Sequence, residues 1–105
     1  MKKKIIIISG DPNSINSELI AKSWKKLNSS VKKKIYLISN FKLIKEQFKI
    51  MKYSIPIKKV KDVETDAYSD KLKIVNVDLQ FTKPFSVPIN IASKFVLNSL
   101  DLAHN

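Results

Sequence analysis

Apolar positions in this chain follow two rhythms that alternate along its length. Ile5–Ile8 is an unbroken β-branched run that passes directly into Ser9 and Gly10. A run without alternation marks a strand covered on both faces, as in a parallel sheet, so a first strand is expected over Lys4–Ser9. After a polar interval the period becomes helical. Ile20, Trp24 and Leu27 recur at i, i+4 and i+7, with Leu19 beside them and Lys22, Lys25 and Lys26 elsewhere on the wheel. Asn16 offers an N-cap and Glu18 places negative charge in the first turn, and the helix is expected to end near Asn28–Ser30.

The same alternation continues. Lys34–Ile38 reads as a second strand, and Ser39 or Asn40 then caps a helix reaching Lys52, with Phe41, Ile44, Phe48 and Met51 on its inner face. Ile55–Val60 is a third, short strand, placed at an edge or a strand start because Pro56 has no N–H for a ladder. Lys61–Asp70 is polar and reads as a loop, Leu72–Val77 as a fourth strand, and residues 78–88, with Pro84 and Pro88, as irregular. Asn90–Ala103 closes the order as a helix with Ala92, Phe95, Val96, Ser99 and Ala103 on one side. The order β-α-β-α-β-β-loop-α predicts an α/β layer fold with a mainly parallel sheet. There is no internal repeat and no low-complexity linker. Three helices and four short strands supply only part of the cover that Ile5–Ile8 requires. Residues 1–105 are therefore expected to form a single partial α/β domain, the opening section of a larger protein.

Composition narrows the picture. A chain of 105 residues is one domain or part of one, and it buries roughly two-thirds of its unfolded surface. With no cysteine there is neither a disulfide framework nor a thiolate metal site. The net charge is +11 and every basic residue is lysine, with 16 of the 20 before Asp62 alongside three acids, and four lysines with six acids from Asp62 onward. A basic face for nucleic acid or another anionic ligand is one reading. No arginine fork or interleaved aromatic motif accompanies the lysines, and abundant Lys, Ile and Asn without Arg is a compositional trait. The lysines are read as a solvated surface that keeps the chain soluble. The apolar run after Lys2–Lys4 is too short for a signal peptide, and no stretch approaches the roughly 20 apolar residues of a membrane span. The cytoplasm is the default expectation.

The candidate chemistry lies at Gly10, the single glycine of the chain. A strand ending in Gly10-Asp11-Pro12 and passing into a helix places backbone N–H groups at the carboxyl edge of a sheet, where open α/β folds bind ligands. The helix N-terminus there favours phosphate or carboxylate, and Ser14, Asn16 and Ser17 add hydroxyl and amide partners. The same residues are also ordinary turn and cap formers. The turn is neither a P-loop nor a GxGxxG fingerprint.

Gly10-Asp11-Pro12-Asn13-Ser14-Ile15-Asn16-Ser17-Glu18 resembles the N-terminal signature of the 4-hydroxythreonine-4-phosphate dehydrogenase family, Gly-Asp-Pro-Ala-Gly-Ile-Gly-Pro-Glu, which also follows an apolar first strand. Gly10, Asp11, Pro12, Ile15 and Glu18 match; Ser14 and Asn16 stand where the family has glycine, and Ser17 where it has proline. The wider isocitrate and isopropylmalate dehydrogenase-like group has a related turn, and the closing helix Ile89–Ala103 is similar to one that this family places after its first irregular stretch. The resemblance implies the N-terminal portion of a layered α/β/α dehydrogenase domain. For the full enzyme it implies NAD- or NADP-dependent oxidation of 4-phosphooxy-L-threonine, with decarboxylation assisted by a divalent metal (Zn, Mg or Co), in pyridoxal phosphate biosynthesis. It also implies a homodimer with its active site near the subunit interface. Gly10, Asp11, Asn13, Ser14 and Asn16 would face the cofactor at the strand–helix turn.

The family's metal site uses three histidines, one in a Gly-His-Thr-Glu stretch. This chain has only His104, so no metal ligand or catalytic residue is assigned, and 105 residues alone are expected to be inactive. Asp62, Glu64, Asp66 and Asp70 have the spacing of a solvated loop. Two other readings stand beside this one: a stand-alone α/β module whose turn holds an anion, and a basic nucleic-acid-binding protein.

Overall fold

The computed structural model describes residues 5–61 and 71–104. Its elements are β1 (Ile5–Ile8), α1 (Asn16–Lys26), α2 (Ser29–Lys32), β2 (Ile35–Ser39), α3 (Phe41–Ile50), β3 (Ile57–Val60), β4 (Leu72–Asn76) and α4 (Ile89–His104). All four strands run parallel in the order β1-β2-β4-β3, with Ile6 opposite Tyr36, Leu37 opposite Ile74 and Lys59 opposite Ile74 on its other side. The parallel α/β layer that the alternation predicts is what the chain forms. β3 takes the edge that Pro56 signals. The expected acidic loop, with Asp62, Glu64, Asp66 and Asp70, lies outside the described residues, as do Lys2–Lys4.

Two cores sandwich the sheet, and strand alternation divides the apolar residues between them. Ile35, Leu37, Leu72 and Ile74 join Ala21 and Trp24 of α1 and Ile44 and Phe48 of α3. Tyr36, Ile38 and Val75 face the other way and join Val60, Val77 and Phe95 of α4. β2 is buried at all five positions, so it is the strand covered on both faces. The sequence places that role on β1. There the structure differs: β1 forms the other edge, and Ile5 and Ile6 each remain 42% exposed. An unbroken apolar run is common to both positions, and only strand order separates them.

The helix ends also depart from expectation. Ile15, not Asn16, holds the N-cap position of α1, with no side-chain cap bond, because the Asn16 amide is turned back onto the Ser9 carbonyl. α1 stops at Lys26, and Asn28 caps the one-turn α2 by accepting from the Val31 N–H at 2.9 Å. Asn40 caps α3 as expected, accepting from the Leu43 N–H. One lysine is not solvated. Lys73, fully buried in β4, donates from Nζ to the Lys33 carbonyl at 2.8 Å and lies 4.9 Å from the Tyr36 ring centroid, so its head is satisfied while its stem packs in the sheet. No helix among the described residues is long and apolar enough to cross a membrane.

Candidate functional site

Polar residues collect where the strands end. Ser9 follows β1, Ser39 and Asn76 close β2 and β4, and Asn40 and Val77 come next in the chain. Buried Ser9 donates from Oγ to the Ser39 hydroxyl at 2.9 Å. Asn40 donates to the Val77 carbonyl at 2.8 Å, the Asn76 side chain accepts from the Phe41 N–H at 2.8 Å, and the Val77 N–H donates to the Ser39 carbonyl. These bonds tie the carboxyl ends of β1, β2 and β4 to one another.

The strand–helix turn sits at this carboxyl edge. Gly10 has φ +74°, the left-handed region that an L side chain adopts at a cost, and a Cβ there would come within 3.1 Å of the Asn16 amide. The turn then binds itself together. The Asp11 carboxylate accepts from the Asn13 N–H at 2.8 Å, the Ser14 hydroxyl donates to the Asp11 carbonyl at 2.8 Å, and Asn16 donates to the Ser9 carbonyl at 2.8 Å. An Asp accepting from the backbone two residues on is the Asx-turn arrangement. The five residues named from the sequence, Gly10, Asp11, Asn13, Ser14 and Asn16, are therefore brought into one tight unit.

Long-range bonds then fix that unit to the proline-bearing loop of residues 78–88. The Asn13 side chain makes two bonds to Val87, donating to its carbonyl at 2.9 Å and accepting from its N–H at 2.7 Å. Buried Gln47 of α3 uses one amide nitrogen for two carbonyls, Pro12 at 2.8 Å and Pro84 at 2.6 Å. Neither Gln47 nor Val87 is marked by the sequence. A glutamine on the inner face of an otherwise apolar helix is the one signal that was available, because a buried amide requires partners.

Two other motif residues have local roles. Glu18 pairs across one helical turn with Lys22 at 2.9 Å on the solvent side, and that hydrogen bond raises the Lys22 pKa above its ordinary value. Ser17, where the family carries proline, is buried and its hydroxyl has no partner among the described residues.

The accessible side of the turn opens onto α4. A groove of 480 Å³ there is lined by Asp11, Asn13, Ile89, Ser93, Val96 and Leu97, among others. Its polar lining includes the Asp11 carboxylate and the Ser93 hydroxyl, beside apolar side chains of α4. The described residues contain no group of three or more His, Cys, Asp or Glu that would hold a metal ion. The Asn16 amide nitrogen lies beside Gly10, 3.1 Å from where a Cβ would stand, and the Asn13 amide is engaged with Val87.

A basic groove of 770 Å³ lies elsewhere, lined by Lys45, Lys49, Lys52 and Tyr53 among others. Lys25 Nζ stands 4.7 Å from the Tyr53 ring centroid, which engages one face of the aromatic.

A parallel sheet with helices on both faces and a tight strand–helix turn at its carboxyl edge defines an open α/β layer, the kind of fold that binds ligands at that edge. Comparison with solved structures narrows this. A 4-hydroxythreonine-4-phosphate dehydrogenase from Burkholderia phymatum superposes with a TM-score of 0.80 at 18% identity, over 98% of this chain and 32% of its own. The Klebsiella pneumoniae protein of the same name superposes with a TM-score of 0.76 at 16% identity, over 95% of this chain and 31% of its own. At these identities the likeness establishes the fold, and the chain spans about a third of the structures it matches. No protein-family model and no curated protein matches the sequence.

Proposed function

We propose that this chain is the N-terminal part of an enzyme similar to 4-hydroxythreonine-4-phosphate dehydrogenase. The observation that carries the reading is a coincidence of two independent likenesses. The Gly10-Asp11-Pro12 turn resembles that family's first signature, and the fold over 98% of the chain matches a solved structure bearing that name. In this reading the complete enzyme oxidises 4-phosphooxy-L-threonine with NAD or NADP and releases carbon dioxide to give 3-amino-2-oxopropyl phosphate, a step toward pyridoxal phosphate. It works as a cytoplasmic homodimer with a divalent metal.

Within that enzyme, residues 1–105 serve as a partial domain that shapes the cleft. Gly10, Asp11, Ser14 and Asn16 set the backbone of the turn, and Asn13 fixes it to the loop after β4. Asp11 is the charged group of the turn that borders the groove beside α4. The metal and the reacting atoms are held by residues outside this chain.

The test compares two proteins: the 105-residue chain and the product translated from the native coding DNA through its stop codon. With 4-phosphooxy-L-threonine and NAD, the longer product reduces the nucleotide in a metal-dependent manner and the 105-residue chain does not. Nucleotide reduction by the short chain, or a longer product inert toward this substrate with either nucleotide, overturns the reading.

A further inference from the structure

Helix α3 ends in a way that its own residues do not favour. Its last turn closes with the Tyr53 N–H donating to the Phe48 carbonyl at 2.9 Å and the Lys52 N–H donating to the Lys49 carbonyl at 3.2 Å. That pattern puts the residue after the cap in the left-handed region, a position usually held by glycine and sometimes by asparagine. Here it is Lys52, with φ +61°, the one residue other than glycine with positive φ among the described residues. A lysine meets a Cβ clash there that glycine avoids. Asparagine, which this chain uses freely, would also sit there at lower cost. Backbone held in a sparsely populated region clusters at ligand clamps and other working sites.

Lys52 lines the basic groove of 770 Å³. Lys45 and Lys49, one turn apart on α3, line it too, and none of the three pairs with a carboxylate among the described residues. The helix dipole accounts for cations near the end of α3, but not for a lysine at a left-handed position. Half-buried Tyr53, Ile55 and Ile57 form an apolar wall beside these ammonium groups. Lys25 of α1, over the Tyr53 ring, brings a fourth cation to that wall. Charge is also sorted by face. α1 and α3 cover one side of the sheet with six lysines and two glutamates, whereas α4, on the other side, carries only Lys94 and Asp101. Positive potential is therefore concentrated on the side of the groove.

We propose that this groove binds a soluble organic phosphate with a flat apolar body. The phosphate lies among Lys45, Lys49 and Lys52, and the body rests on Tyr53, Ile55 and Ile57. Three clustered ammonium groups select a multiply charged anion. A concave apolar wall with a few convergent polar groups is the usual form of a small-molecule site. Because that wall is half-buried within a groove, it suits a compact body and not a flat bilayer.

The probe is 1-naphthyl phosphate, with inorganic phosphate as the anion alone, each titrated by calorimetry into the polypeptide translated through the native stop codon. The aryl phosphate should bind at least about tenfold more tightly than inorganic phosphate, from the apolar area it buries. Lys52→Gly should weaken the aryl phosphate about fivefold, as loss of one partly exposed ion pair does. The same variant should melt roughly 2–4 °C higher, because the left-handed lysine is gone. Lys94→Gln removes an equal charge from the other face and should leave the affinity within about twofold.

Equal weakening by Lys94→Gln would reduce the effect to net charge and overturn the proposal. A Lys52→Gly protein that binds as the parent does would overturn it, as would one that melts lower, since Lys52 would then serve the fold. Equal affinity for the two phosphates, or no binding of the aryl phosphate, would also overturn it. Lys52-dependent binding to phosphatidylglycerol vesicles without binding of the aryl phosphate would make a membrane surface the occupant and overturn it likewise.

Discussion

Gly10 shows how much one residue carries in this chain. Its φ of +74° and the Asn16 amide 3.1 Å from a would-be Cβ oppose any side chain there. Gly10→Ala is expected to cost about 1–2 kcal/mol in denaturant unfolding. An unchanged midpoint would show that the turn relaxes freely. Asn13→Ala removes both bonds to Val87 and should cost about 1–3 kcal/mol. Gln47→Leu tests the same clamp from the other side, by leaving the Pro12 and Pro84 carbonyls without their donor. Because both contacts hold the turn to one loop, the Asn13→Ala and Gln47→Leu effects should be non-additive in a double-mutant cycle. Strict additivity would mean that the two bonds stabilise separate units. Gly10-Asp11-Pro12 was legible as a turn because its chemistry is local. Val87 and Gln47 were not, since their partners lie 74 and 35 residues away and are set by the fold.

At the scale of the element, hydrophobic period identified the four strands and three long helices of the described residues, because each must turn an apolar face to a core. It could not assign β1 and β2 to edge and centre. Ile5–Ile8 and Ile35–Ile38 are equally apolar runs, and what separates them is the insertion of β4 beside β2. The Asn16 cap failed for a related reason: a side chain suited to capping was claimed by the Ser9 carbonyl.

Helix α4 provides the sharpest contrast between its two sides. Phe95→Ala, at a position 1% exposed, should cost about 3–5 kcal/mol. Leu97→Ala, two residues further on and 63% exposed, should leave the 105-residue chain within about 0.5 kcal/mol of the parent. Equal effects in thermal unfolding would show that Leu97 is already covered. For α3, Asn40→Ala removes both the cap on Leu43 and the bond to Val77, so it should destabilise more than a cap alone, by about 2–3 kcal/mol.

For the whole molecule, charge and fold carry different information. A net charge of +11 ensures that the chain adheres to polyanions, so binding to nucleic acid should be weak, indifferent to sequence and steeply lost with added salt. Sequence-selective binding that survives moderate salt would favour the nucleic-acid reading instead. The parallel sheet and the tied turn support instead the reading proposed above, the front of a longer dehydrogenase-like polypeptide. The most direct measurement is to read the native coding DNA past the codon for Asn105. The account predicts an open frame that continues and encodes a Gly-His-Thr-Glu stretch with two further histidines to complete a metal site. A stop codon directly after Asn105 would contradict it and leave the turn at Gly10 without an active site to serve.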